Sequence, residues 1–136
     1  MSRDLIAAAL AARAKAHAPY SRFRVGAAVR DETGRVHSGC NVENAAYPEG
    51  ICAETAALAA LVMAGGKRCI EAAVVGAGDG LVTPCGGCRQ RLREFAGNDT
   101  PVHVGDADGN LRRTFSLGEL LPASFGPDHL EAGEGR

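Results

Sequence analysis

The chain predicts an α/β fold: a mixed sheet carrying helices on both faces. The first observation behind this is order, since the predicted elements run α-β-β-α-β-α-β-β-α. Strands interleaved with helices bury their apolar faces best when helices cover a sheet on both sides. The second is size and composition. A length of 136 residues, with 46% hydrophobic and 23% charged residues, suits one globular domain and argues against disorder. The domain is expected to cover residues 1–136, with a flexible tail end over about 126–136.

Each element has a local reason. Ser2 is placed to cap a helix running to about His17, with Leu5, Ile6, Ala9 and Leu10 on one face. Ala18-Pro19 stops it, because a residue before proline avoids helical geometry. Val25–Arg30 and Val36–Val42 read as strands joined by a turn over Glu32–Arg35. Asn41–Ile51 is loop-like, punctuated by Pro48 and Gly50. Cys52–Ala64 is rich in Ala and Leu and reads as a buried helix ended by Gly65-Gly66. Ile70–Ala77 is a strand, followed by a glycine loop to Pro84. Cys85–Phe95 is a helix that sets Arg89, Arg91 and Arg93 on what reads as a solvated face. Thr100–Val104 and Leu111–Phe115 are strands around a turn at Asp106–Asn110, and Ser116 caps a short helix through Leu121. Past Pro122 the chain turns polar and glycine-rich and is expected to fray.

Composition removes whole classes of partner. Fifteen Lys and Arg against sixteen Asp and Glu leave a net charge of -1, without the basic footprint of a nucleic-acid binder. Aromatic residues are 4% and Trp is absent, too few for a stacking platform for single strands. The longest apolar run, near Ala53–Ala64, is broken by Glu54 and Thr55, so no membrane span is expected. Met1-Ser2-Arg3-Asp4 leads into no long apolar segment, so a secretory signal is not supported and the reading is a cytoplasmic protein.

Five cysteines are an odd number for a disulfide framework and point to metal or catalytic thiolates: Cys40, Cys52, Cys69, Cys85 and Cys88. Cys40 and Cys69 fall on strands and read as small core residues. Pro84-Cys85-Gly86-Gly87-Cys88 is a C-x-x-C where a loop enters a helix, and a helix N-terminus stabilises thiolates. By itself this motif fits a redox pair or half of a structural zinc site. Cys52-Ala53-Glu54, also at a helix start, adds a third thiolate and a carboxylate two positions on. Three protein ligands leave the fourth tetrahedral position open, as in a catalytic zinc site.

The combination matches the established signature of zinc nucleobase deaminases, (His or Cys)-x-Glu followed by Pro-Cys-x-x-Cys. With Phe23–Ala28, Asn41–Pro48 and Leu120–Pro127 added, the chain from Pro19 to Leu130 resembles the cytidine deaminases of the short, homotetrameric type. The resemblance implies a three-layer α/β/α sandwich around a five-stranded mixed sheet. It implies one zinc per subunit on Cys52, Cys85 and Cys88, with Glu54 as proton shuttle. Asn41 and Glu43 would hydrogen-bond the ribose 3′-hydroxyl, and the loop through Asn44, Ala45 and Tyr47 would line the substrate. Phe23 would pack on the nucleoside, the Ala53 backbone would hold the pyrimidine, and Phe125 would cover the base of a neighbouring subunit.

The activity so implied is hydrolytic deamination of cytidine and deoxycytidine in pyrimidine salvage, by a homotetramer with shared sites. Glu43 beside the ribose disfavours a phosphorylated sugar. In one respect the chain departs from the family it resembles, whose short members usually carry a thiolate-bonding Arg directly after Cys-Ala-Glu. Here that position is Thr55. The alternatives are a same-fold deaminase for another aminopyrimidine nucleoside such as blasticidin S, a nucleic-acid-editing deaminase, a structural-zinc module and a thiol redox module.

Overall fold

A computed structural model describes residues 2–131 and 133 of the chain. Five strands form one sheet in the order β2-β1-β3-β4-β5, with β1 at Gly26–Asp31, β2 at Val36–Cys40, β3 at Cys69–Val75, β4 at Pro101–Gly105 and β5 at Leu111–Ser116. β3 and β4 pair in parallel and the other neighbours antiparallel, so the sheet is mixed. Helix α1 (Ser2–Arg13) covers one face; α2 (Ala53–Met63), α3 (Gly86–Phe95) and the single turn α4 (Leu117–Leu120) cover the other. The result is the expected three-layer α/β/α sandwich.

Strand alternation feeds both layers. Ala28, Ala73 and Val75 pack on Leu5, Ile6 and Ala9 of α1, while Ala27, Val29, Ala72 and Val102 pack on Ala57, Leu61 and Leu92 of α2 and α3. The α1 face also carries a row of polar groups. Arg30 bonds both Asp4 oxygens at 2.7 and 2.8 Å and Glu71 Oε1 at 3.0 Å. Glu71 Oε2 lies 2.7 Å from His103, whose other ring nitrogen is 2.8 Å from the Thr114 hydroxyl. Every charged member of the buried part of this row thus has a partner, as buried charge requires.

The boundaries that depart most from the sequence expectation are the ends of α1 and β2 and the C-terminal segment. Helix α1 ends at Arg13, not near His17, because the following residues turn away to pair elsewhere. The His17 amide donates to Asn41 O and its carbonyl accepts from Glu43, at 3.0 and 2.8 Å. Strand β2 correspondingly stops at Cys40, and Val42 instead exchanges two backbone bonds with Ile51 that close the 41–51 loop on itself. Within that loop Tyr47–Glu49 forms a 3₁₀ turn. The expected flexible end over 126–136 falls partly outside the described residues; in the part described, Pro127–Glu131 forms a short helix, α5.

The sheet also fixes direction. β1 runs antiparallel to both β2 and β3, so β2 and β3 share a direction and their C-terminal ends lie at the same edge. The chain segments that lead into α2 and α3 leave from that edge, the usual place for ligands in sheets with helical crossovers. α2 approaches β2 closely because Gly39 has no side chain. A Cβ there would stand 2.4 Å from the Ala57 amide nitrogen and 2.6 Å from the Ala56 methyl. Gly39→Ala is therefore expected to push α2 off the sheet and to destabilise the fold by about 1–3 kcal/mol. Gly80→Ala, at a position with open space around it, is expected to stay within about 0.5 kcal/mol of the parent. Urea unfolding of both variants checks the pair.

Candidate metal centre and active site

Two helix starts converge at the shared strand edge. Cys52 is the N-cap of α2, with φ -82° and ψ 159°, and Cys85 is the N-cap of α3, with φ -67° and ψ 170°. Both extended caps turn the chain sharply into a helix and leave the first amides of that helix facing outward. Cys88 follows as the third residue of α3 and is buried. The turn before Cys85 is held by Arg89, which donates to Pro84 O at 2.7 Å, Leu120 O at 2.7 Å and the Thr83 hydroxyl at 2.9 Å.

The three sulfurs of Cys52, Cys85 and Cys88 lie within 4.8 Å of one another, and Cys52 Sγ is 3.8 Å from Cys85 Sγ. Four ligands arranged tetrahedrally at a Zn–S distance of about 2.3 Å place neighbouring sulfurs about 3.8 Å apart. The donor set and its spacing therefore fit zinc, with three protein ligands and an open fourth position. All five cysteines are free thiols. Burial pushes the thiols of Cys52 and Cys88 up, whereas Cys85, despite burial, is held below its ordinary value by hydrogen bonds from the Cys88 amide and the neighbouring thiols. Cys85, the most exposed of the three, is thus the one most readily made anionic.

Glu54, the second residue of α2, is only 6% exposed. Burial raises its carboxyl above the ordinary range, and contact with Cys88 and the charge of Arg91 offset part of that rise. Glu54 opens into a cavity of about 360 Å³ together with Cys52 and Cys85. Phe23, Asn41, Glu43, Tyr47 and Ala53 line the same space. Seven of the residues expected from the sequence to touch a substrate or serve catalysis or metal are therefore brought to one cavity with Cys85, and Cys88 closes the sulfur cluster behind it.

The outer wall is braced by side chains. Asn41 Oδ1 accepts from the Val25 amide at 2.9 Å, and its Nδ2 donates to Phe23 O at 2.8 Å. Glu43 accepts from the amides of Tyr20 and Ser21, at 2.9 and 3.1 Å, and from the Ser21 hydroxyl. The Ser21 hydroxyl and amide hold the Glu43 carboxyl below its ordinary range. Asn44 lies in a neighbouring cavity of about 340 Å³ that shares Glu43 and Tyr47 with the first.

Two expected residues stand apart. Ala45 is exposed in the 41–51 loop and lines neither of these cavities. Phe125 is 56% exposed and stacks on His129 at a centroid distance of 5.2 Å, with its carbonyl held by Gln90. Val82 and Thr83, which line the cavity, were not singled out in the sequence, because an irregular glycine loop carries no periodic signal.

Arg89 and Arg93 of α3 are half-buried and correct the sequence reading of a solvated face, whereas Arg91 is exposed as expected. Arg89 fixes the entry to Cys85. Arg93 bonds Ser124 and Asp128, both at 2.9 Å, and so ties the C-terminal segment to α3. Arg91 reaches Cys88 Sγ at 3.9 Å. Cys69 is buried as expected, and Cys40 is half-buried.

Comparison with known proteins is consistent with this geometry. The family model of the cytidine and deoxycytidylate deaminase zinc-binding region matches residues 1–104. The chain is 40% identical over 126 residues to a cytidine deaminase of Sporosarcina psychrophila, covering 93% of this chain and 92% of that one. It is 45% identical over 119 residues to a cytidine deaminase of Mycobacterium tuberculosis, covering 88% and 85%. The crystal structure of a cytidine deaminase from Burkholderia pseudomallei superposes with a TM-score of 0.85 at 44% identity, covering 92% of this chain and 99% of that chain.

The sulfur cluster predicts a metal stoichiometry. The purified chain should bind about one equivalent of zinc, read by atomic emission. Cys52→Ser, Cys85→Ser or Cys88→Ser should each lose most of it, while Cys40→Ser should retain it. Zinc retained by any of the first three at the parent level would remove that cysteine from the ligand set.

Proposed function

The chain belongs to the family of zinc-binding cytidine and deoxycytidylate deaminases, and from that premise we propose that it hydrolyses the C4 amino group of free cytidine and deoxycytidine. The products are ammonia and uridine or deoxyuridine. The observation that carries this reading is Glu54, a buried carboxyl of raised pKa in one cavity with two of the three clustered sulfurs.

Placement in one cavity supports the following roles. Cys52, Cys85 and Cys88 would hold zinc, which would supply Lewis-acid activation of a water. Glu54 accepts a proton from that water and delivers it to N3 of the pyrimidine, which makes C4 more electrophilic. The water oxygen bonds to C4; Glu54 takes the second proton from that oxygen and passes it to the amino nitrogen, so the C4–N bond breaks as the C4 carbonyl forms and ammonia leaves. Its raised pKa suits a group that must carry the proton in both directions. Ala53, directly behind the cap, offers its backbone to the pyrimidine edge, and Phe23 stacks against the nucleoside. Asn41 and Glu43 meet the ribose hydroxyls, with the loop of Asn44, Ala45 and Tyr47 beside them.

The cavity lining supports a nucleoside over a nucleotide. Among the described residues it contains no Lys or Arg, while Glu43 contributes a carboxylate. A phosphate there would meet negative charge without compensation. We place the protein in pyrimidine salvage and in the cytoplasm, where thiols stay reduced. Among the described residues no helix is long and apolar enough to cross a membrane.

We also assign a homotetramer in which Phe125 reaches a neighbouring subunit's cavity. The support is local: Phe125 does not line the cavity of its own chain, and Tyr47, Ile51 and Phe23 leave an apolar rim 75%, 45% and 40% exposed.

Two measurements test these assignments. Glu54→Gln should keep about one zinc per chain and lose about 10²–10⁴-fold or more in ammonia release from cytidine. Loss of zinc from a folded variant, or turnover near the parent rate, contradicts the proton-shuttle role. For the shared site, Glu54→Ala and Phe125→Ala are refolded together so that mixed assemblies form. A Phe125→Ala subunit keeps its own Glu54 and borrows Phe125 from its neighbour, so the mixture should exceed both parents. An activity equal to the average of the parents would show that each subunit uses its own Phe125.

A further inference from the structure

Three thiolates and one Zn²⁺ carry a formal charge of -1, and Glu54 adds a second anionic group when ionised. Such a cluster, partly buried, needs compensating positive charge close to the sulfurs. The N-termini of α2 and α3 supply part of it. The residue that follows Glu54 supplies no charge: Thr55 offers a hydroxyl, 3.9 Å from Cys88 Sγ.

Arg91 stands opposite. It lies one turn after Cys88 on α3, and its Nη1 points to Cys88 Sγ at 3.9 Å. The path of the side chain is prepared by the sequence around it. A Cβ on Gly87 would stand 3.1 Å from Arg91 Nη1 and 3.7 Å from its Cζ, so the bare glycine leaves room for the guanidinium to lie against the first turn of α3. The stem runs along a cavity of about 230 Å³ between α2 and α3, whose other walls include Thr55, Leu58 and Phe95. Arg91 and Thr55 thus approach the same sulfur from two helices, through the same gap.

We infer that Arg91 is a positioning residue for the metal centre, a cation delivered from α3 that balances and orients the Cys88 thiolate where α2 provides only the Thr55 hydroxyl. Its charge lowers the electron density on Cys88 sulfur and so leaves more Lewis acidity for the open position. This role rests on the zinc-dependent reading above.

The test replaces zinc by Co²⁺, whose sulfur-to-cobalt charge-transfer band reports thiolate electron density directly. Arg91→Met keeps the apolar stem in the gap and removes the charge. The band is expected to move to lower energy, and deamination of cytidine by the zinc form to fall about 10–100-fold. Adding Thr55→Arg to Arg91→Met returns a guanidinium to the same sulfur from α2 and should move both band and rate back toward the parent. An unmoved band in folded, metal-loaded Arg91→Met overturns the assignment whatever the rate does. A shifted band that Thr55→Arg leaves in place overturns it as well, since a general packing defect would behave that way. A parent chain showing no sulfur-to-cobalt band would instead overturn the zinc reading itself, and this inference with it.

Discussion

Everything at the candidate site depends on keeping three sulfur atoms from two distant chain segments within 4.8 Å of one another. The sheet solves most of that problem before any side chain is considered. With β1 between them and antiparallel to both, β2 and β3 point the same way, and the segments leaving them reach one edge. Gly39 lets α2 settle onto β2, while Arg89 pins the Thr83-Pro84 turn from which α3 begins. Cys52 and Cys85 then need only be caps, with Cys88 inside the first turn of α3. A cap residue already has extended backbone geometry and sits at the positive end of its helix, so the position that starts the helix is also the one that favours a thiolate.

The electrostatics divide between an inner and an outer zone. Inside, burial raises the Glu54 carboxyl and the Cys88 thiol above their ordinary values. Outside, Glu43 is held ionised by the Tyr20 and Ser21 amides and the Ser21 hydroxyl, and it is already committed to bracing the 20–25 segment. One carboxylate is thus kept ready to gain a proton and the other to keep its charge. Environment separates the two, because both are glutamates on a chain of nearly balanced charge.

The sulfur cluster and Glu54 were legible in the sequence because their spacing coincides with helix starts, where composition and punctuation agree. The α/β order was legible for a similar reason: the strands and helices have distinct periods and are separated by Gly and Pro. What escaped was set by tertiary partners. The last turn of α1 yields to backbone pairing of His17 with Asn41 and Glu43, which lie far along the chain. The α3 arginines look alike as a charge run, yet one holds a turn, one reaches a sulfur and one ties down the C-terminal segment. Their spacing on the helix could not distinguish those ends. Phe125 is singled out through family resemblance, and among the described residues His129 stacks on its ring and Gln90 holds its carbonyl.

The polar row on the α1 face also bears on how the sheet finds its pairing. β1 and β3 are built largely from Ala and Val, which pack almost equally well if one strand slides past the other. A slip of one residue, however, turns every side chain to the opposite face. Glu71 would then leave Arg30 and His103 behind and enter the apolar layer beneath α2 and α3, stranding charge on both sides. The Arg30–Glu71–His103 line therefore acts as a key for alignment: it adds little attraction to the native sheet that apolar packing would not supply, but it makes the neighbouring misaligned sheets expensive.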